Sequence, residues 1–367
     1  VNVSQQSFAL ALFGRILQAA GAAAIPATAM LIPVRYFPPE RRGSVLGMTA
    51  VGLALGGALG LVLSALIVSF AHWRWLFAVP LLILATLPFY RKYLAEEDTL
   101  SRGSFDWLGG ALLGVSVALL LLGVTNGTWW FLLGSLLTLA LFIVRIRRAA
   151  DPFVQPKIFA NKRYTAGLVL AVLINGMGIA LYYVSPLLLS SVQELSTNWI
   201  GFVMVPAAVA SALLGRVGGK LADRKGNAYL FFLASGLLLV CFGLLSTFTG
   251  IAVIGIACFL IFGNVGQSFM QITLANSISG TLAKEQAGVG MGIFSMLNFI
   301  SMGIASGIYS KVIDLGATTQ WNPVNPYAAA FVYSNIYLVL AALHALIFLF
   351  YYFRFGKTRS SGLQANS

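Results

Sequence analysis

Charge is what this sequence has least of. Only 9% of its 367 residues are Asp, Glu, Lys or Arg, against about a quarter in soluble globular chains, so a water-soluble enzyme is excluded. Acid is scarcer still. The ten carboxylates (Glu40, Glu96, Glu97, Asp98, Asp106, Asp151, Glu194, Asp223, Glu285 and Asp314) all fall in loops or at the ends of apolar runs. The two cysteines, Cys241 and Cys258, lie inside apolar runs and suit packing, not a disulfide framework or a zinc site. A nucleotide-binding reading of Gly288-x-Gly290-x-Gly292 fails because no strand precedes it. No Walker motif, metal-ligand cluster or catalytic-triad spacing occurs, and the lone His344 reads as a buried structural histidine.

What the chain has is apolar length. Apolar residues make up 59% of it, with a mean hydropathy of +0.88. They come in runs of about 20, the length that crosses a bilayer as a helix. Eleven such runs lie near 8–33, 45–70, 74–94, 107–125, 129–146, 164–190, 197–218, 228–247, 251–275, 288–311 and 330–353. The fold class is therefore an all-α polytopic membrane protein. The net charge of +13 reads as membrane orientation and not as nucleic-acid binding. Of the 23 cations, all but Arg15, Arg74 and Lys311 fall in one alternating set of gaps, which marks that set and the C-terminus as cytoplasmic. An odd number of spans then puts Val1 outside. The chain opens on Val, close to an apolar run and with no charged n-region, so it reads as a piece lacking an odd number of upstream spans and not as a signal peptide. Two longer gaps, 95–106 and 147–163, divide the spans into three, two and six.

Several strings recur in a fixed order on particular loops. Gly14-Arg15-Ile16-Leu17-Gln18 precedes Gly21-Ala22-Ala23, and Gly56-x-x-x-Gly60 sits in the next run. Trp73-Arg74-Trp75-Leu76-Phe77 opens the third, and Phe105-Asp106-x-x-Gly109 opens the fourth. Pro152 with Phe159-x-Asn161-Lys162-Arg163-Tyr164 precedes the sixth. Gly219-x-Leu221-Ala222-Asp223-Arg224-Lys225-Gly226 closes the seventh. Together these strings resemble the major facilitator superfamily, in particular its fourteen-span drug:proton antiporters of the tetracycline-efflux and multidrug-efflux type. The resemblance implies spans 4–14 of a 6 + 2 + 6 plan. Residues 1–94 would be the remainder of the N-terminal bundle, 95–163 two extra linking helices with cytoplasmic loops, 164–357 the C-terminal six-helix bundle, and 358–367 a cytoplasmic tail.

Arg15 is the only charge placed deep in a span, and Gln18 lies one turn on along the same face. The resemblance implies that Arg15 and Gln18 serve proton coupling, with a carboxylate partner in a missing span. Gly52, Gly56 and Gly60 form a small-xxx-small stripe that allows close helix approach. The resemblance makes this stripe a seam between the two bundles. Asn264, Gln267 and Gln271 share one helix face, and three amides in lipid are costly, so that face should line a cavity. Asn175 and Tyr182, seven apart, are further cavity candidates. Gly219, Asp223, Arg224 and Gly226 correspond to the cytoplasmic gating motif, with Asp223 beside the start of the following helix, where a carboxylate suits the helix dipole. Relatives of the tetracycline type carry acids where Gly57 and Met302 stand here.

The expected function is a secondary transporter of a bacterial plasma membrane, exporting amphipathic organic compounds by alternating access in exchange for protons. A uniporter or lipid-type flippase on the same fold is the alternative, favoured by the missing intramembrane acids. No cofactor or metal is expected, the proton gradient being the energy source. The expected partners are the bilayer, a small amphipathic substrate and protons, with no nucleic acid, and the chain is expected to be monomeric.

Overall fold

The computed structural model describes residues 8–70, 72–93, 106–283, 286–327 and 330–353. Within them every regular element is a helix. Helix α1 (Phe8–Tyr36) turns through Phe37-Pro38 into α2 (Pro39–Phe70). Proline suits the first helical position of α2, because its missing N–H has no intrahelical acceptor there. The Arg42 guanidinium donates back to the Phe37 carbonyl at 3.3 Å and tightens the turn. The third expected span is wound mostly as 3-10 helix, Trp73–Phe77 and Val79–Thr86, before the short helix α3 (Leu87–Tyr93).

Helices α4 (Trp107–Asn126) and α5 (Trp129–Arg148) form a hairpin around Gly127, whose φ of 67° is the left-handed conformation glycine adopts readily. Two serines fasten it. The Ser116 hydroxyl donates to the Ser135 carbonyl at 3.0 Å, and the Ser135 hydroxyl to the Ser116 carbonyl at 2.8 Å. At the open end Asp106 caps α4, accepting from the Gly109 N–H at 3.0 Å, and takes an ion pair from Arg145 of α5 at 3.1 Å. Its second oxygen accepts the Phe153 N–H at 3.3 Å, which ties down the connector to the second half. The linker 95–106 lies outside the described residues up to Asp106, as does the tail 358–367.

The connector ends in a 3-10 turn, Pro156–Ala160, and Asn161 then caps α6 (Lys162–Gly178) by accepting from the Arg163 and Tyr164 N–H groups. A break at Ile179 separates α6 from α7 (Ala180–Ser191). The chain continues through α8 (Thr197–Lys225), α9 (Asn227–Thr247), α10 (Val253–Ser279), α11 (Ala287–Leu315) and α12 (Phe331–Tyr351). Among the described residues eight stretches are long and apolar enough to cross a membrane: α4, α5, α6 with α7, and each helix from α8 to α12. The apolar stretches Ala9–Ala22 and Arg74–Phe89 are shorter.

The best-packed interior lies in α6–α12. Tyr164, Tyr337, Phe231, Phe242 and Phe294 are its largest fully buried side chains. Buried phenols need partners, and these have them: Tyr164 donates to the Gly290 carbonyl and Tyr309 to the Gly176 carbonyl, at 2.8 and 2.7 Å. Ser185 and Tyr337 share a hydrogen bond of 2.8 Å. His344 is fully buried beside the Phe242 ring, Cys241 is buried, and Cys258 is exposed. The α4–α5 hairpin docks on α11 where Gly303 faces Leu121 and Gly307 faces Val124.

Candidate functional site

The longest contact between elements distant in sequence runs between α2 and α8. Its tight part is made by glycine on both sides. A Cβ on Gly47 would lie 2.6 Å from the Gly215 carbonyl oxygen, and one on Gly43 would lie 2.8 Å from the Gly219 carbonyl oxygen. A Cβ on Gly219 would run into the Gly43 carbonyl. This is a Gly-xxx-Gly pair from each helix, a pattern that brings two backbones close enough to touch. The expected stripe of Gly52, Gly56 and Gly60 is not this seam. All three are exposed, and among the described residues no atom lies within 4 Å of where a Cβ would stand. The close approach falls earlier on α2 because that is where α8 offers Gly215 and Gly219. Spacing within one helix could not reveal the partner.

Asp223 locks the same end. Its two carboxylate oxygens accept the backbone N–H groups of Gly43 and Ser44 at 2.8 and 2.7 Å. Charge-assisted bonds to backbone donors are among the stronger polar contacts. The partner differs from the expected one: the carboxylate addresses α2, 180 residues earlier in the chain, and not the start of α9. Gly226, at φ 88°, supplies the turn from α8 into α9. Lys225 lies over the Tyr229 ring at 4.6 Å.

A second polar feature lies inside the α6–α12 bundle. The Asn175 amide nitrogen donates to Asn298 Oδ1 at 2.6 Å, and Asn175 Oδ1 accepts from Gln267 at 3.3 Å and from Gln271. Three helices, α6, α10 and α11, thus meet through four neutral amides. Gln267 Oε1 and Gln271 Oε1 are buried without a hydrogen-bond partner, so the cluster keeps unused capacity. Gln267 fits because Gly178, next to the α6–α7 break, leaves room for its amide. Asn264 is buried but bonds its own helix, at the Leu260 carbonyl, 2.9 Å away. Tyr182 does not join the cluster. Tyr182 lies beyond the break at Ile179 and is 50% exposed. Asn298, which completes the cluster, was not singled out from the sequence. A lone amide in an apolar run was its only signal.

In α1 the Arg15 guanidinium donates to Gln18 Oε1 at 3.2 Å and stands over the Phe77 ring, 4.4 Å from its centroid. The two residues meet as their one-turn spacing implies, and the aromatic face supplies a second stabilising contact for the cation. Arg15 is exposed and Gln18 half-buried.

Residues 2–306 match the Major Facilitator Superfamily profile. The chain belongs to that superfamily. Curated relatives of this superfamily member include multidrug resistance protein 3 of Bacillus subtilis, 26% identical over 311 residues, covering 81% of this chain and 60% of the relative. A lincomycin resistance protein of Listeria monocytogenes is 27% identical over 238 residues, covering 60% of this chain and 49% of the relative. A riboflavin transporter of Clostridioides difficile is 25% identical over 308 residues, covering 81% and 66% respectively. The chain therefore spans between about half and two thirds of the length of these relatives. The human organic anion transporter MFSD10 has the same fold, with a TM-score of 0.63 at 17% identity over 93% of this chain and 72% of that one. Family and fold point to a multi-pass membrane transporter and not to an enzyme. In this superfamily member the seam joins α2 to α8, while the amide cluster lies within the α6–α12 bundle.

Proposed function

We propose that the protein exports amphipathic organic compounds by alternating access, in exchange for protons, from the cytoplasmic side of a bacterial plasma membrane. The observation that carries this reading is the clasp at one end of α2 and α8, where the glycine seam and the Asp223 carboxylate hold the two halves together. A close contact of this kind between helices distant in the chain is what a rocking mechanism has to make and break. Under the positive-inside rule, the cations bordering it support a cytoplasmic clasp and a cytoplasmic C-terminus. In this reading the chain carries eleven spans, 4–14 of a fourteen-span plan, in the three groups described above.

The amide cluster supports a substrate wall that is polar but uncharged, suited to neutral or cationic lipophilic solutes. Resistance-protein relatives of bacteria agree with drug export. Arg15 and Gln18 are assigned to coupling, with a carboxylate partner that the apolar runs of this chain do not supply. No cofactor is required, and the working unit is the monomer. One observation favours a second reading. All ten acids of this chain fall outside its apolar runs or at their ends, and proton exchange needs a carboxylate at membrane depth. Without such a carboxylate the protein is a uniporter or flippase.

Vesicles containing the full-length protein separate the readings. An imposed proton gradient should drive uptake of ethidium into inverted vesicles, and ethidium should in turn dissipate the gradient. Ethidium movement without proton movement establishes the second reading, and no movement of any amphipathic cation overturns both.

A further inference from the structure

The clasp carries an open pocket of about 580 Å³ between the start of α2 and the end of α8, next to the Asp223 bonds. Three cations line it, Arg41 from α2 and Lys220 and Arg224 from α8. Among the described residues none of the three makes an ion pair. Two carboxylates oppose them. Asp223 has both oxygens committed to backbone N–H groups, which leaves Glu40 as the free acid at the rim. Phe37 and Val45 supply apolar wall.

Orientation rules account for cations at this end of the helices. They do not account for cations from two helices converging on one concave space with an apolar side. Arginine forks match the oxygens of a phosphate, and an ammonium adds a point charge. The apolar wall suits the glycerol end of a lipid, and the cytoplasmic leaflet is where anionic headgroups are found. We propose that this pocket binds the phosphate of an anionic lipid headgroup, and that the bound lipid holds the clasp shut. The effect on the clasp rests on the reading of the α2–α8 seam as the cytoplasmic gate. Its two walls come from helices that separate when the gate opens, so the lipid binds the closed form and by linkage favours it.

The Gly43 and Ser44 amides report the state of the clasp directly, because opening releases them from Asp223. Hydrogen exchange of the segment 40–48 should be measured on the full-length protein in nanodiscs of phosphatidylcholine alone or mixed with phosphatidylglycerol. Phosphatidylglycerol should slow exchange there by about fivefold or more, the lower end of usual coupling strengths. The triple variant Arg41→Gln, Lys220→Gln, Arg224→Gln should lose the lipid effect, and Glu40→Gln should enlarge it. The second variant keeps the test decisive if the triple variant folds poorly. Equal exchange in both lipids, or a lipid effect that survives in the triple variant, overturns the proposal. Full protection by inorganic phosphate in detergent overturns the lipid source and leaves a free-anion site. Adding ethidium separates the two readings: exchange that responds to lipid but not to ethidium removes the gate and keeps the site. The reverse response keeps the gate and removes the site.

Discussion

Replacing Gly47 by alanine tests the seam with a single methyl group. The new Cβ would stand 2.6 Å from the Gly215 carbonyl oxygen and 3.1 Å from the Gly219 Cα. Both are backbone atoms, so no side chain can swing aside. Carbon and carbonyl oxygen rest at about 3.3–3.6 Å, so the helices must part by roughly 0.7 Å at this level. The nearby Asp223 bonds, now 2.8 and 2.7 Å, would stretch to the edge of hydrogen-bonding range. Overpacking of this size costs about 1–3 kcal/mol, and weakening two charge-assisted bonds adds about as much again. Taking about 2 kcal/mol as the smaller outcome, the closed form loses roughly thirtyfold in population against the open one. Exchange of the Gly43 and Ser44 amides should accelerate by that factor, and vesicle transport should slow. Gly243→Ala is the control, since no atom lies within 4 Å of its Cβ position and alanine favours the helix. If Gly47→Ala exchanged and transported like wild type, or if Gly243→Ala did equal damage, the seam would not be the gate.

Three further outcomes follow from the geometry. Asn175→Ala removes the centre of the amide cluster and leaves Gln267, Gln271 and Asn298 without their shared partner; thermal unfolding in detergent should show a loss of about 1–3 kcal/mol, and an unchanged midpoint would mean the amides are not coupled. Asp106 titrates below its ordinary 3.8, chiefly because the Gly109 N–H bonds its ionised form, with Arg145 and Phe153 adding to this against the opposing effect of burial. Its stabilising contribution is therefore complete above about pH 5 and is lost as pH falls through the lowered value, so thermal stability should decline on acidification below about 4 and the decline should be shallower in Asp106→Asn. Arg15→Ala should leave the protein inserted but uncouple substrate movement from protons in vesicles, with Arg15→Lys retaining part of the coupling because the charge stays and the fork is lost; wild-type coupling in Arg15→Ala would reduce Arg15 to a structural contact with Gln18 and Phe77.

Apolar run length and the alternation of cations are properties of local sequence, and they were enough to identify a multi-pass helical membrane protein. Asp106 and Asn161 stood out only as members of the strings Phe105-Asp106-x-x-Gly109 and Phe159-x-Asn161; the structure shows that they act as helix caps. Asn264, Gln267 and Gln271 stood out as costly amides in an apolar setting, with Asn175 a further candidate, and that cost is set by the bilayer whatever the partner; of these, Asn264 bonds its own helix instead of the cluster. Which glycines form the seam, and which backbone Asp223 serves, was decided only by tertiary structure. A small-xxx-small stripe licenses close approach but names no partner, and α2 offers several such pairs. Only the crossing with α8 selects Gly43 and Gly47 and leaves Gly52, Gly56 and Gly60 open. Tyr182 stands outside the amide cluster, which its seven-residue spacing from Asn175 could not reveal. Asn298 joins the cluster because α11 packs on α6. Contacts between helices over a hundred residues apart depend on how rigid cylinders dock, which the pattern within each cylinder does not contain.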